Sequence, residues 1–404
     1  MKILWVKAGK LLPVDTGGKI RSYNILRWLA KQHEVTLLSY YGGRRDETYE
    51  RDIQERFPGA VPLHTGAWDA SAPERALFYL RKLPSPAPFA VTKHTAAAVK
   101  RHVSEWLQAR RFDVAICDFL AASLNFPRQS ATPTVLFQHN VESSLWQRQA
   151  QYDPNLVKRM VFKLEAAKMT RYENQTVARF DHVIAVSEVD KALMSAMTDP
   201  ARISVVPTGV DVEQYQQAAG PSVTEPRVLF LGSMDWEANI DGVDYFCREI
   251  WPQIKTAVPD AKFSIVGRNP PPRIQRLASE DIEVTGWVAS TIEPLRAAAA
   301  FVVPLRIGGG TRLKIYEAMA MRKAVVSTSI GAEGLDVKHG RDILLADEPA
   351  DFAQQVIELL RNHSFRVAFE QAASETAARY NWPDITKRFE ESLTQARRDA
   401  RAQA

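Results

Sequence analysis

At 404 residues the chain exceeds one ordinary domain, and roughly 150 residues per domain makes two the expected number. Hydrophobic residues at 46% and charged residues at 25% are the balance of a globular protein with a sizeable core, which excludes a disordered chain. A formal net charge of +5 falls short of the dense basic stripe of a nucleic-acid binder and suits an anionic ligand or an anionic membrane surface.

The opening Met1-Lys2-Ile3-Leu4-Trp5-Val6 turns polar at Lys7, too early for the apolar core of a signal peptide, and reads as a first buried strand. A helical pattern over residues 20–31 and a second apolar run over 35–39 begin a β-α-β rhythm. Residues 68–91, rich in proline and aromatics, read as a loop. Further strands are expected at 114–117, 135–137 and 182–186, with helices over 95–109 and 154–178, giving a parallel sheet buried on both faces. Cys117 and Cys247 stand in apolar contexts far apart, so they read as buried free thiols suited to a reducing cytoplasm. No window reaches ~20 apolar residues, so any membrane contact is expected to be peripheral, at the inner face of the membrane.

The rhythm breaks after Val205-Val206-Pro207-Thr208, and residues 209–226 read as an interdomain linker. Strand signals restart at 227–231, 262–266, 282–285, 300–304, 324–327 and 343–345, with helices over 242–257 and from Thr311. The expected domains are therefore 1–208 and 227–381. A charged amphipathic helix, 382–404, either ends the second domain or crosses back to the first.

The densest chemical signal is Gly308-Gly309-Gly310-Thr311-Arg312-Leu313-Lys314, which follows the apolar run 301–305. At the carboxyl end of a parallel strand, bare amides and a helix N-terminus form a ready anion site. Thr311 is a natural N-cap, and Lys314 and Glu317 follow at three-residue steps on one helix face. Positive charge at a helix start opposes the macrodipole, and a bound phosphate reverses that penalty. The plainer alternative pairs Lys314 with Glu317 and leaves Arg312 to solvent. Gly17 and Gly18 form a second glycine loop after the first strand, either a tight turn or a close approach to ligand. His139 ends a strand, with Glu142 as a neighbour. Residues 156–164 and several cations of the first domain form a basic, partly apolar surface that suits either an anionic lipid surface or ordinary core packing.

In order along nearly the whole chain, Asp15-Thr16-Gly17-Gly18-Lys19, His182-Val183-Ile184-Ala185-Val186-Ser187-Glu188, Val205-Val206-Pro207-Thr208-Gly209-Val210-Asp211 and Glu317-Ala318-Met319-Ala320 resemble glycosyltransferase family 4. The resemblance implies an α/β fold of GT-B type, two Rossmann-like doubly wound parallel-sheet domains facing across a cleft. It implies a retaining, metal-independent hexosyl transfer from a UDP- or GDP-sugar to a saccharide or lipid-linked acceptor, in cell-surface polysaccharide or glycoconjugate synthesis, in the cytoplasm and without a cofactor. Glu317 takes the family's ribose-binding place, and His139 stands near the donor sugar. Trp287 and Val288 follow the turn at which the family offers backbone groups to the nucleobase, with packing the alternative for Trp287. Gly17, Gly18, Ser233, Arg268, Gly309, Gly310 and Thr311 are the further donor-site candidates, with a surface salt bridge the alternative for Arg268.

The chain departs from the family twice. Gly309 stands where a glutamate is usual, and the segment from Gly232 to Asp241 lacks the family's arginine and lysine. Arg312 and Lys314 are therefore expected to neutralise the leaving diphosphate. A non-catalytic partner subunit, or a nucleotide-sugar epimerase or oxidoreductase, are the alternatives. The first strand is not followed by Gly-x-Gly-x-x-Gly, which counts against a dinucleotide site.

Overall fold

The structure is a computed structural model that describes residues 1–66, 72–152, 156–221, 223, 225–307 and 312–403. The chain divides into two compact units, Met1–Pro207 with Trp382–Ala404, and Thr208–Asn381.

The first unit is built on a parallel sheet in the order β3-β2-β1-β4-β5-β6-β7. Its strands are β1 Lys2–Ala8, β2 Glu34–Tyr41, β3 Val61–His64, β4 Val114–Asp118, β5 Thr134–Phe137, β6 His182–Ala185 and β7 Ile203–Val205. β4, β5 and β6 are buried along their whole length, as their unbroken apolar runs require of a sheet covered on both faces. The short β3 and β7 were not among the expected strands. The order reverses between β1 and β4, and such a switch point opens a crevice at the carboxyl ends of the strands.

The expectation of a loop over 68–91 is corrected: Ala72–Lys82 and Phe89–Thr92 are helical. Pro73 falls in the first turn of its helix, where no intrahelical hydrogen bond is lost. The C-terminal helix, Trp382–Gln403, belongs to the first unit. Ile385, Phe389, Leu393 and Ala396 repeat at helical spacing and are fully buried. Phe389 stacks on Trp5 at 5.6 Å between centroids and meets Phe137 edge-on at 5.0 Å.

The second unit repeats the plan with a six-stranded parallel sheet, β10-β9-β8-β11-β12-β13. The strands are β8 Arg227–Leu231, β9 Lys262–Val266, β10 Ile282–Gly286, β11 Ala300–Val303, β12 Ala324–Ser327 and β13 Leu344–Leu345. The stretch 209–226, read as a linker, holds the helix Val212–Ala218, capped by Asp211. The single helix expected over 242–257 is instead Glu237–Tyr245, a π-turn Phe246–Ile250 and Trp251–Ala257. Trp251 N–H donates to Phe246 O, five residues back, just before Pro252, which has no N–H to continue the usual ladder.

Replacing Phe389 with alanine removes a ring enclosed between Trp5 and Phe137 and is expected to cost about 3–5 kcal/mol. Equilibrium denaturation followed by tryptophan fluorescence reads this; an unchanged midpoint would show that the C-terminal helix does not complete the first unit's core.

Candidate active site

In the first unit, the carboxyl ends of β1, β4 and β5 converge on one buried carboxylate. Asp118, the last residue of β4, has no exposed surface. Its Oδ2 accepts from Trp5 Nε1 at 3.0 Å and from Lys7 Nζ at 3.0 Å. His139 Nε2 lies 2.9 Å from its Oδ1. The other ring nitrogen, Nδ1, lies 3.0 Å from Arg21 NH1, and a guanidinium can only donate. Nδ1 therefore accepts, and Nε2 carries the proton that it donates to Asp118.

Burial pushes the His139 imidazolium down to about 3, against the hydrogen bond and charge of Asp118, while Arg21 and Lys7 add to the depression. Burial alone would raise the Asp118 carboxyl, but the Lys7 charge and the His139 hydrogen bond hold it well below the usual carboxylate range. Burial lowers Arg21 to about 10, so it stays charged at neutral pH. The result is a neutral imidazole between a fixed anion and a fixed cation.

The Phe119 ring lies flat on His139, 3.6 Å between centroids and 13° from parallel. To reach it Phe119 adopts φ 69° and ψ 152°, a conformation that a non-glycine residue rarely takes. Gly18 answers that ring: a Cβ there would lie 2.6 Å from Phe119 Cζ. Gly17 is the first residue of the helix Gly17–Leu29, and a Cβ there would meet nothing within 4 Å. Sequence reasoning found His139 and both glycines but missed Lys7, Arg21 and Asp118. The available signal was the pair of charges set in the apolar runs of β1 and β4, positions where unpaired charge is costly.

In the second unit, the helix Leu313–Ala320 reaches the end of β8 through Lys314. Arg312, with φ −88° and ψ 84°, occupies the cap position of this helix, which the sequence assigns to Thr311, and its carbonyl accepts from Ile315 N–H. Gly308, Gly309, Gly310 and Thr311 lie outside the described residues. Lys314 Nζ donates to Leu231 O at 2.8 Å and to Asn239 Oδ1 at 3.2 Å, 4.2 Å above the Phe230 ring. Burial lowers it to about 7, and the neighbouring Arg312 lowers it further than Glu317 restores it. Arg312, 6% exposed, lies over the Trp236 ring at 4.8 Å. Burial raises the Glu317 carboxyl, offset by a hydrogen bond from Tyr215 and the charge of Lys314.

Of the remaining expected donor residues, Ser233 and Arg268 share one network. Arg268 Nε reaches Ser233 Oγ at 3.1 Å and Asp235 Oδ2 at 2.8 Å. β8 and β9 pass closely beside it: a Cβ on Gly267 would lie 1.8 Å from Gly232 O. Trp287 is 72% exposed and Val288 is partly buried, both following Gly286, whose φ of +73° turns the chain at the end of β10.

Two family models match the chain in succession: Glycosyltransferase Family 4 over residues 16–214 and Glycosyl transferases group 1 over residues 225–362. The chain belongs to this glycosyltransferase family. It is 24% identical to a phosphatidyl-myo-inositol mannosyltransferase of Mycobacterium leprae, covering 80% of this chain and 84% of that protein. It is also 24% identical to an uncharacterized protein in the cps region of Klebsiella pneumoniae, over 63% of this chain and 67% of the relative. Among solved structures, Anabaena HepE in complex with UDP-glucose matches with a TM-score of 0.67 at 14% identity, covering 98% of this chain and all of that one. The TarM structure matches with a TM-score of 0.70 at 12% identity, over 97% of this glycosyltransferase and 99% of that chain. The fold is GT-B.

The geometry around His139 has a spectroscopic consequence. Between pH 5 and 8 its ring is expected to stay neutral with the proton on Nε2, visible in imidazole nitrogen shifts. A ring that titrates near 6.5, or one protonated on Nδ1, would contradict the arrangement.

Proposed function

We propose that the chain is a retaining glycosyltransferase that moves a hexose from a nucleoside diphosphate sugar to a saccharide or lipid-linked acceptor in cell-surface polysaccharide or glycoconjugate synthesis. The observation that carries the donor class is the pair Arg312 and Lys314 at the start of the helix Leu313–Ala320, with Glu317 one turn on. Cations held in a poorly solvated place at a helix N-terminus stabilise a diphosphate as its bond to the anomeric carbon breaks. Glu317 accepts hydrogen bonds from the two ribose hydroxyls. The acceptor oxygen bonds to the anomeric carbon on the face that the diphosphate leaves, and its proton passes to the departing phosphate oxygen. The chain's own cations balance the leaving charge in this scheme, without a metal or another cofactor.

UDP is the favoured nucleotide, because HepE was solved with UDP-glucose and a TarM mutant with UDP. The mannosyltransferase relative, whose name includes a phosphatidylinositol, supports a lipid-linked acceptor. No helix of the described residues is long and apolar enough to cross a membrane. The helix Leu156–Arg179 nevertheless exposes Met160, Val161 and Leu164 beside Lys158 and Lys163. This face is proposed to rest on anionic lipid.

A thermal-shift screen against UDP-, GDP-, ADP- and dTDP-sugars tests the donor, since a ligand of the folded state raises the melting temperature. Binding without transfer or hydrolysis of any of these sugars would favour a non-catalytic subunit. Lys314 sets the pH dependence of that binding. It is charged below about 7 in the free protein and must take up a proton to face the diphosphate above that pH. Affinity for the sugar nucleotide is therefore expected to fall by up to about tenfold per pH unit as pH rises past 7. Lys314→Met should bind weakly at every pH, without proton uptake in calorimetry; a native-like Kd in this variant would remove Lys314 from the donor site.

Co-sedimentation tests the lipid face. The native protein should pellet with phosphatidylglycerol vesicles and not with phosphatidylcholine, and Met160→Glu combined with Leu164→Glu should stay in solution. Equal retention of the native protein and the variant would discard that face.

A further inference from the structure

Three cations flank the stretch 307–311 in the sequence: Arg306 before it, Arg312 and Lys314 after it. All three are held by one short segment, residues 236–241, at the start of the helix Glu237–Tyr245. Trp236, its N-cap residue, lies under the Arg312 guanidinium at 4.8 Å. Asn239 accepts from Lys314 at 3.2 Å, and its own Nδ2 donates to Ser233 O at 2.7 Å, which fixes the amide. Asp241 takes Arg306 in a bidentate pair at 2.7 and 3.1 Å.

This is the same segment, after β8, that lacks arginine and lysine of its own. We infer that Trp236 and Asn239 are positioning residues that hold Arg312 and Lys314 for the diphosphate of a nucleotide ligand. The inference rests on the donor site proposed above.

The chemistry of the holders supports a role beyond packing. A carboxylate partner would cancel the charge that it fixes. An indole face and an amide oxygen orient a cation while adding no negative charge of their own. Crowding Arg312 and Lys314 together costs free energy in the empty protein, and a diphosphate removes that cost. The carboxylate Asp241 holds Arg306, the cation on the other side of 307–311.

The test measures Kd by calorimetry for UDP, GDP, ADP and dTDP, carries forward whichever binds the native protein most tightly, and uses the corresponding nucleoside as control. Trp236→Leu should weaken the diphosphate about three- to thirty-fold, the range of a cation–π contact, and leave the nucleoside unchanged. Trp236→Phe should recover most of the loss. In the double variant with Arg312→Met, the Trp236 change should add nothing, and Asn239→Leu should likewise add nothing to Lys314→Met.

Additive losses, an equal loss on the nucleoside, or native affinity in Trp236→Leu and Asn239→Leu would overturn the positioning role while leaving the donor site standing. If none of the four diphosphates binds, or if Arg312→Met and Lys314→Met bind as the native protein does, the donor site fails and the inference with it. Trp236 is 40% exposed, so its substitution is not expected to unfold the unit, and a melting curve of each variant checks this.

Discussion

A parallel sheet covered on both faces leaves its strand ends as the places where polar groups can gather, and both units of this glycosyltransferase obey that constraint. The interiors of β4, β5, β6, β11 and β12 are closed to solvent. Charge therefore collects at their carboxyl ends, where the crossover connections begin. Lys7, Asp118 and His139 meet in the first unit, and Arg312 and Lys314 stand beside the end of β8 in the second.

The two crests handle charge in opposite ways. In the first, the buried carboxylate is matched and the imidazole is neutral: Asp118 is held as an anion by Lys7, and His139 is kept neutral by burial, with Arg21 donating to its unprotonated nitrogen. Burying charge in this way is tolerable only when the hydrogen bonds are complete. In the second, like charges lie close together and Lys314 is poised near neutrality. That arrangement is costly when empty and gains from an anion, as expected of a binding site rather than a core.

Legibility followed the range of the forces involved. The apolar strands β1, β2, β4, β5 and β6 and all six strands of the second unit stood out, because an apolar run reflects burial directly. β3 and β7 are edge strands, only partly buried, so their sequences carry little signal of burial. The helix Ala72–Lys82 was hidden by prolines that are harmless in a first turn and beyond the helix end. The helix Leu313–Ala320 starts later than the expected Thr311, with Arg312 at its cap, since terminal residues of a helix are the part that local sequence fixes least.

By itself the sequence determined the two parallel-sheet domains, the family, and the residues His139, Gly18, Lys314 and Glu317 as candidates, because local patterning and motif spacing encode them. It could not show that Gly18 is bare to admit the Phe119 ring, or that His139 is locked neutral between Asp118 and Arg21. Nor could it show that residues 236–241 hold the cations that their own segment lacks. Those are contacts between residues 21 to 118 positions apart, and only the closed tertiary fold, where burial strengthens each charge and each missing partner is costly, fixes which of them form.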